Sequence, residues 1–171
     1  MQESVFHLRE WCEEDLKPFA DMNADEEVMR YFPSVLTREQ SDAMARRIQS
    51  LFEENGFGFW AVECEGRFAG FTGLNRTTFA TPMGPHIEIG WRLAPWVWGR
   101  GIATKAATEA LRRAAEEYSL SDVYSFTTQT NSRSEAVMKR LGMSRREDLD
   151  FDHPNTPGWW GQRHIVYHIS I

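Results

Sequence analysis

Residues 86–111 read HIEIGWRLAPWVWGRGIATKAATEAL. The opening residues alternate: Ile87, Ile89, Trp91 and Leu93 share one parity, and His86, Glu88 and Arg92 the other. That is the pattern of a strand with two unlike faces. Beyond Pro95 the period lengthens, and Ile102, Ala106, Ala110, Leu111, Ala114 and Tyr118 make one apolar stripe of a helix from Gly101 to Tyr118. The junction holds Trp96, Trp98, Gly99 and Gly101. Gly costs a helix about 1 kcal/mol relative to Ala, so two glycines before a helix imply a local job. A helix N-terminus presents unpaired N–H groups and about half a positive charge, and glycine lets an anion approach the backbone. The other reading of the same letters is an ordinary tight turn in which glycine supplies a positive φ.

Outward from this junction, residues 5–10 read as a strand. The segment 11–32 has helical spacing at Leu16, Phe19, Ala20 and Met22, is interrupted around Asn23 to Asp25, and stops before Pro33. Thr37 with Gln40 forms a capping box that starts a helix ending at Gly56. FGFWAVEC (57–64) and RFAGFTGLNR (67–76) read as strands joined by a Glu65-Gly66 hairpin turn, and TPMGP (81–85) as a loop. Residues 122–130 read as a strand, and 131–142 as a helix started by Asn131 and capped by Gly142. Residues 143–150 and 163–171 complete the sheet, with the turn-rich FDHPNTPGWW (151–160) between them. The order predicts one α/β domain over residues 1–171, with a mixed, mostly antiparallel sheet of about seven strands flanked by helices.

A length of 171 residues, 42% hydrophobic and 13% aromatic, suits a globular chain burying roughly 70% of its unfolded surface. No run approaches the ~20 apolar residues of a membrane helix. The start, MQESVFHLREW, lacks the order of a signal peptide. Cys12 and Cys64 are too few for a disulfide framework and wrongly spaced for zinc. These features predict a cytoplasmic protein that binds neither membrane nor metal. The net charge of −6 argues against nucleic acid as a partner. Residues 1–65 hold 15 acidic and 6 basic side chains, net −9, whereas residues 92–146 hold 10 basic and 5 acidic, net +5. Solvated faces account for such a split; so would a cationic ligand near the first region and an anionic one near the second.

Two phosphate-binding patterns fail on these letters. GxxxxGK[ST] finds Ile-Ala-Thr-Lys after Gly101, and GxGxxG finds Thr104 where its third glycine belongs. The strand-turn-helix of 86–111 instead resembles motif A of the GNAT N-acetyltransferases, whose turn reads (Q/R)-x-x-G-x-(G/A). The turn Trp98-Gly99-Arg100-Gly101-Ile102-Ala103 departs from it at Trp98. W-G-x-G-x-A-T is similar to the ribosomal-protein N-terminal (Rim-type) branch, as is the segment TNSRSEAVMKRLGM (130–143). The resemblance covers the whole chain in element order. It implies acetyl-CoA as acetyl donor, its pyrophosphate held by the backbone of Trp98, Gly99, Arg100, Gly101, Ile102, Ala103 and Thr104. It further implies a pantetheine arm beside the backbone of Leu93 and in contact with Asn131.

Acetyl transfer to an amine needs a base, because an amine of pKa near 10 is charged at neutral pH. Glu88 falls where the family often carries that base; its other reading is a structural Glu, paired with Arg92 or exposed where the strand splays. His86 could share the task or be a satisfied structural group. His164 and His168 would lie ~13 Å apart along a strand, too far to share a zinc ion. Many relatives protonate the leaving thiolate with a tyrosine at the position of Met138, which has no proton to give. Ser134, one turn earlier on the same helical face, is the substitute candidate, or else merely completes hydrogen bonds begun by Asn131. The expected activity is acetyl transfer to a cationic primary amine: a protein N-terminus, polyamine, amino acid or antibiotic. A non-catalytic acyl-CoA-binding module or regulator is the alternative, and the chain is expected as a monomer or homodimer.

Overall fold

A computed structural model describes residues 5–171. The leader reading of MQESVFHLREW rests partly on residues 1–4, which lie outside the described residues. Strand β1 (Phe6–Arg9) is followed by a short 3-10 turn, helix α1 (Leu16–Asn23) and helix α2 (Arg38–Asn55). The hairpin β2 (Phe59–Cys64) and β3 (Arg67–Thr77) leads to β4 (His86–Leu93), helix α3 (Ile102–Glu116) and β5 (Asp122–Thr128). Helix α4 (Ser132–Arg140), the two-residue strands β6 (Ser144–Arg145) and β7 (Phe151–Asp152), and β8 (Arg163–Ser170) close the chain.

The strands form one eight-stranded sheet in the order β1-β2-β3-β4-β5-β8-β6, with β7 also against β8. All neighbours are antiparallel except β4 and β5. The parallel pair arises where α3 carries the chain from one strand to the next over one face, as parallel pairing requires. On that face Ile102, Ala106, Ala110, Leu111 and Ala114 pack against Ile87, Ile89, Leu93, Leu74 and Val123. Fully burying a side chain such as Ile102 contributes roughly 1.5–3 kcal/mol. The opposite face of the β1–β3 half is covered by α1 and α2, through Phe19, Met22, Ala45 and Ile48 against Ala61, Phe68 and Phe71. The alternation read from β4 therefore holds: its odd residues meet α3, and His86, Glu88 and Arg92 belong to the other face.

The capping box forms in both directions, Gln40 N donating to Thr37 Oγ1 at 3.2 Å and Thr37 N to Gln40 Oε1 at 2.9 Å. Glu65 and Gly66 both take positive φ (53° and 74°), as the hairpin turn requires. The helical spacing of 11–32 yields only α1; residues beyond Asn23 form turns. Asp25 Oδ1 accepts from Glu27 N (2.8 Å) and Val28 N (3.2 Å), a side-chain claim on amides that a helix would use. Buried Asn23 also holds the returning chain, its carbonyl accepting from Leu36 N at 2.8 Å. Residues 143–150 supply only two paired residues, Ser144 and Arg145, before a short 3-10 turn. Among the described residues no helix is long and apolar enough to cross a membrane.

Candidate active site

Parallel pairing of β4 with β5 is confined to Ile87↔Val123 and Glu88↔Tyr124. One further link, from Ser125 Oγ to the Ile89 carbonyl at 3.0 Å, precedes the divergence of the two strands. Because strand backbone groups alternate in direction, those of Trp91 and Leu93 follow Ile89 in facing this opening. The Leu93 carbonyl is already engaged, accepting from the Trp98 indole Nε1 at 2.9 Å. That bond explains the tryptophan in the turn: it ties the turn back to the end of β4.

Gly99 (φ 72°) and Gly101 (φ 74°) both adopt the left-handed conformation, and a Cβ at either would meet no atom within 4 Å. The tight-turn reading of these glycines therefore holds, and the space above their backbone is open. Gly101 caps α3 without a side-chain bond. Lys105 N to Gly101 O, at 3.1 Å, is the first bond of the helix, so the amides of Ile102, Ala103 and Thr104 precede any intrahelical acceptor. The Arg100 side chain forms an ion pair with Glu65 on the β2–β3 turn.

Across the opening, Asn131 caps α4 directly after β5. Its Oδ1 accepts from Ser134 N (3.2 Å), and its Nδ2 donates to Thr127 Oγ1 (3.0 Å) and Ser134 Oγ (3.1 Å). Ser134 Oγ acts as an acceptor there, which leaves its own proton to donate elsewhere. Met138 is buried in the core. The two sides of the opening meet where the Arg133 guanidinium lies 4.6 Å from the Trp98 ring.

Glu88 stands at the last paired position before the strands part. Its Oε2 accepts from Thr77 Oγ1 at 2.8 Å, and loss of solvation pushes its carboxyl up to about 7, against a smaller opposing effect of the Thr77 bond. It does not pair with Arg92, whose Nη1 donates to Asn23 Oδ1 at 2.7 Å. His86 bonds instead through Nδ1 to the Gly84 carbonyl at 2.8 Å, and burial lowers its pKa. His168 pairs with Asp122 at 2.9 Å, while His164 packs against Phe126. Five of the fifteen acidic side chains of residues 1–65 pair with bases of the same segment, Asp15 and Glu63 with Arg9, Asp21 with Lys17, Asp42 with Arg38 and Glu54 with Arg47, so these pairs leave the segment's net charge of −9 unchanged.

Two irregular segments rim this face, and Tyr31 of one touches Trp160 of the other with ring centroids 6.4 Å apart. A cleft of about 320 Å³ is bordered by Thr77, Arg47 and Phe79, and a larger one, about 660 Å³, lies between Asp15, Arg67 and Trp96; neither is lined by a predicted site residue. Three contributors went unread in the sequence. Thr77 and Asn23 reach the face from other elements, and no local pattern marks them. The Trp98 link to Leu93 carried a weak signal, an indole five residues beyond a strand end.

A family model described as the acetyltransferase (GNAT) domain matches residues 6–144. The chain belongs to that family. It is 36% identical over 109 residues to the FsC-acetyl coenzyme A-N(2)-transacetylase of Aspergillus fumigatus, a match covering 60% of this chain and 45% of that protein. The chain thus spans under half the length of that relative. Among solved structures, a GNAT-family acetyltransferase from Bacillus anthracis superposes with a TM-score of 0.78 at 23% identity, covering 96% of this chain and 94% of the other. Mycobacterium smegmatis RimJ in complex with CoA-disulfide gives 0.78 at 18% identity, covering 98% and 83%. At such identities these structures share the fold.

The Thr77 hydroxyl donates to the ionised carboxylate of Glu88 and so favours it. Thr77→Val should therefore move the Glu88 titration, followed by carboxyl ¹³C NMR, from about 7 to higher pH. An unchanged or lower midpoint would show that Thr77 does not support the ionised form.

Proposed function

We propose that this chain transfers the acetyl group of acetyl-CoA to a primary amine by direct attack of the amine on the thioester. The observation that carries the reading is Glu88, placed where β4 and β5 part with Thr77 as its hydrogen-bond donor; loss of solvation there pushes its carboxyl up to about 7. A base with pKa near the working pH is both ionised and able to hold a proton. An ordinary carboxylate near 4 would be a far weaker acceptor.

The residues present fit the donor. Acetyl-CoA supplies an activated acyl group as its thioester. The open backbone over Gly99 and Gly101, with the uncapped amides of Ile102, Ala103 and Thr104, suits a pyrophosphate. The diverging strands offer the Trp91 and Leu93 backbone to the pantetheine arm, Leu93 through its N–H since its carbonyl is engaged. Asn131, fixed by Thr127 and Ser134, borders the same opening. Glu88 takes the amine proton, and Ser134, held by Asn131 with its own proton available, donates to the departing thiolate. Two free thiols, one of them exposed, suit action in a reducing cytoplasm.

Free-thiol release from acetyl-CoA, measured over a panel of amines, tests the whole reading. Tight CoA binding without release by any amine would favour the binding-module alternative. Gly101→Val should weaken CoA binding more than tenfold by calorimetry, about 1.4 kcal/mol; a folded variant of unaltered affinity would remove the cradle. Glu88→Gln should retain CoA affinity and lower turnover about 10²-fold. Wild-type turnover should rise as pH increases through about 7, and the deficit of Glu88→Gln should shrink at high pH, where amines lose their proton unaided. An unchanged pH–rate profile would make Glu88 structural. Ser134→Ala should lower the maximal rate without weakening CoA binding; normal turnover would assign thiolate protonation to solvent.

A further inference from the structure

Arg92 carries a charge that the fold leaves unanswered. Four residues along β4 from Glu88 and on the same face, it is only 9% exposed. No carboxylate among the described residues pairs with it. Its surroundings are the Asn23 amide, the Met44 sulfur 3.7 Å from Nη1, and the rings of Phe32 and Phe71, 4.3 and 5.4 Å from the guanidinium carbon. Burial accordingly draws its pKa down to about 10.

The pattern of used and unused donors is specific. Nη1 takes both protein contacts, whereas Nε is buried with no hydrogen-bond partner and Nη2 donates to no protein acceptor. The Nε–H and the neighbouring Nη2–H form one edge of the guanidinium fork, the pair of parallel donors that a carboxylate accepts in bidentate fashion. Leaving such a donor unpaired in a buried place is costly, most of all for a charged group. A planar anion on that edge would recover that cost. Phe32, which flanks the guanidinium, is itself 38% exposed, so this side of the site is bounded by a side chain at the surface of a turn.

We propose that Arg92 pairs through its Nε–Nη2 edge with a carboxylate of the acceptor, and that the acceptor is therefore an amine bearing a carboxylate, of the amino-acid class. This rests on the acetyl-transfer reading, since it assigns the face carrying Glu88 to the acceptor. Such an acceptor is a zwitterion: its ammonium group is the one Glu88 deprotonates, and its carboxylate answers Arg92. A polyamine would bring a second cation toward a buried guanidinium, an arrangement that like-charge repulsion disfavours.

The test measures binding on the product side, which needs no turnover. N-acetyl derivatives of alanine, leucine, phenylalanine and glutamate, and the matching N-acetyl amino-acid amides, are titrated calorimetrically into the CoA-loaded protein. At least one acid should bind tenfold or more tightly than its amide. Arg92→Met should abolish that difference while leaving the amide's affinity within twofold, and Arg92→Lys should restore only part of it. Met keeps an unbranched apolar stem and removes a buried charge that no carboxylate among the described residues answers, so Arg92→Met should keep its melting temperature. If it does not fold, the acid–amide comparison on wild type and on Arg92→Lys decides alone. Equal binding of acids and amides, binding by neither, or a preference surviving in Arg92→Met would each overturn the assignment. Thiol release with amines in spite of any of these results would leave the acetyl-transfer reading standing, whereas absence of release with every amine would remove that reading itself.

Discussion

Strands β4 and β5 begin as a parallel pair, share two registered positions, and then separate. A parallel pair needs a crossover connection, and α3 fills that role here, so the turn entering α3 must lie at the end of β4 beside the opening. The end of β5, continuing into α4, must lie on the other side. A gap between two buried strands exposes backbone groups that would otherwise pair with each other, and such groups need partners. The Trp98 indole answers one of them, the Leu93 carbonyl. The rest of the opening is a slot with strand edges, helix N-termini and no side chain over the two turn glycines, which is why an extended ligand ending in phosphates suits it.

The same divergence governs the chemistry on the face away from α3. Glu88 sits where pairing stops, half-buried on the sheet face beside the opening. Desolvation raises its pKa, the Thr77 hydroxyl restrains the rise, and the balance falls near neutrality. Arg92 experiences the same desolvation with the opposite sign of charge. The two are ~13 Å apart along the strand and each has a neutral hydrogen-bond partner instead of the other. Had they paired, the carboxylate would have been held low and the guanidinium satisfied.

Much of this arrangement was legible in the letters. The alternation of residues 86–93, the two glycines, the stripe of α3, the capping box at Thr37 and the hairpin at Glu65-Gly66 are all short-range features, in which a few adjacent residues dictate backbone geometry. The interruption read around Asn23 to Asp25 falls where α1 ends, and its cause is local: Asp25 claims the amides of Glu27 and Val28. Periodicity records which face is apolar, not whether a polar side chain will claim the backbone first.

By itself, then, the sequence determined the strand–glycine turn–helix unit, the unlike faces of β4 and the candidates Glu88, Asn131 and Ser134, because each is written within one or two turns of chain. Only the tertiary structure decided what those residues meet. Asn23 and Arg92 are 69 residues apart, and Thr77 reaches Glu88 through a register between two strands. Whether a carboxylate is desolvated, and whether a guanidinium is left with an unused edge, depends on groups brought together from separate elements. A pKa and an unpaired donor are properties of an enclosed volume, and no stretch of sequence encloses a volume until the sheet has formed and the helices have covered it.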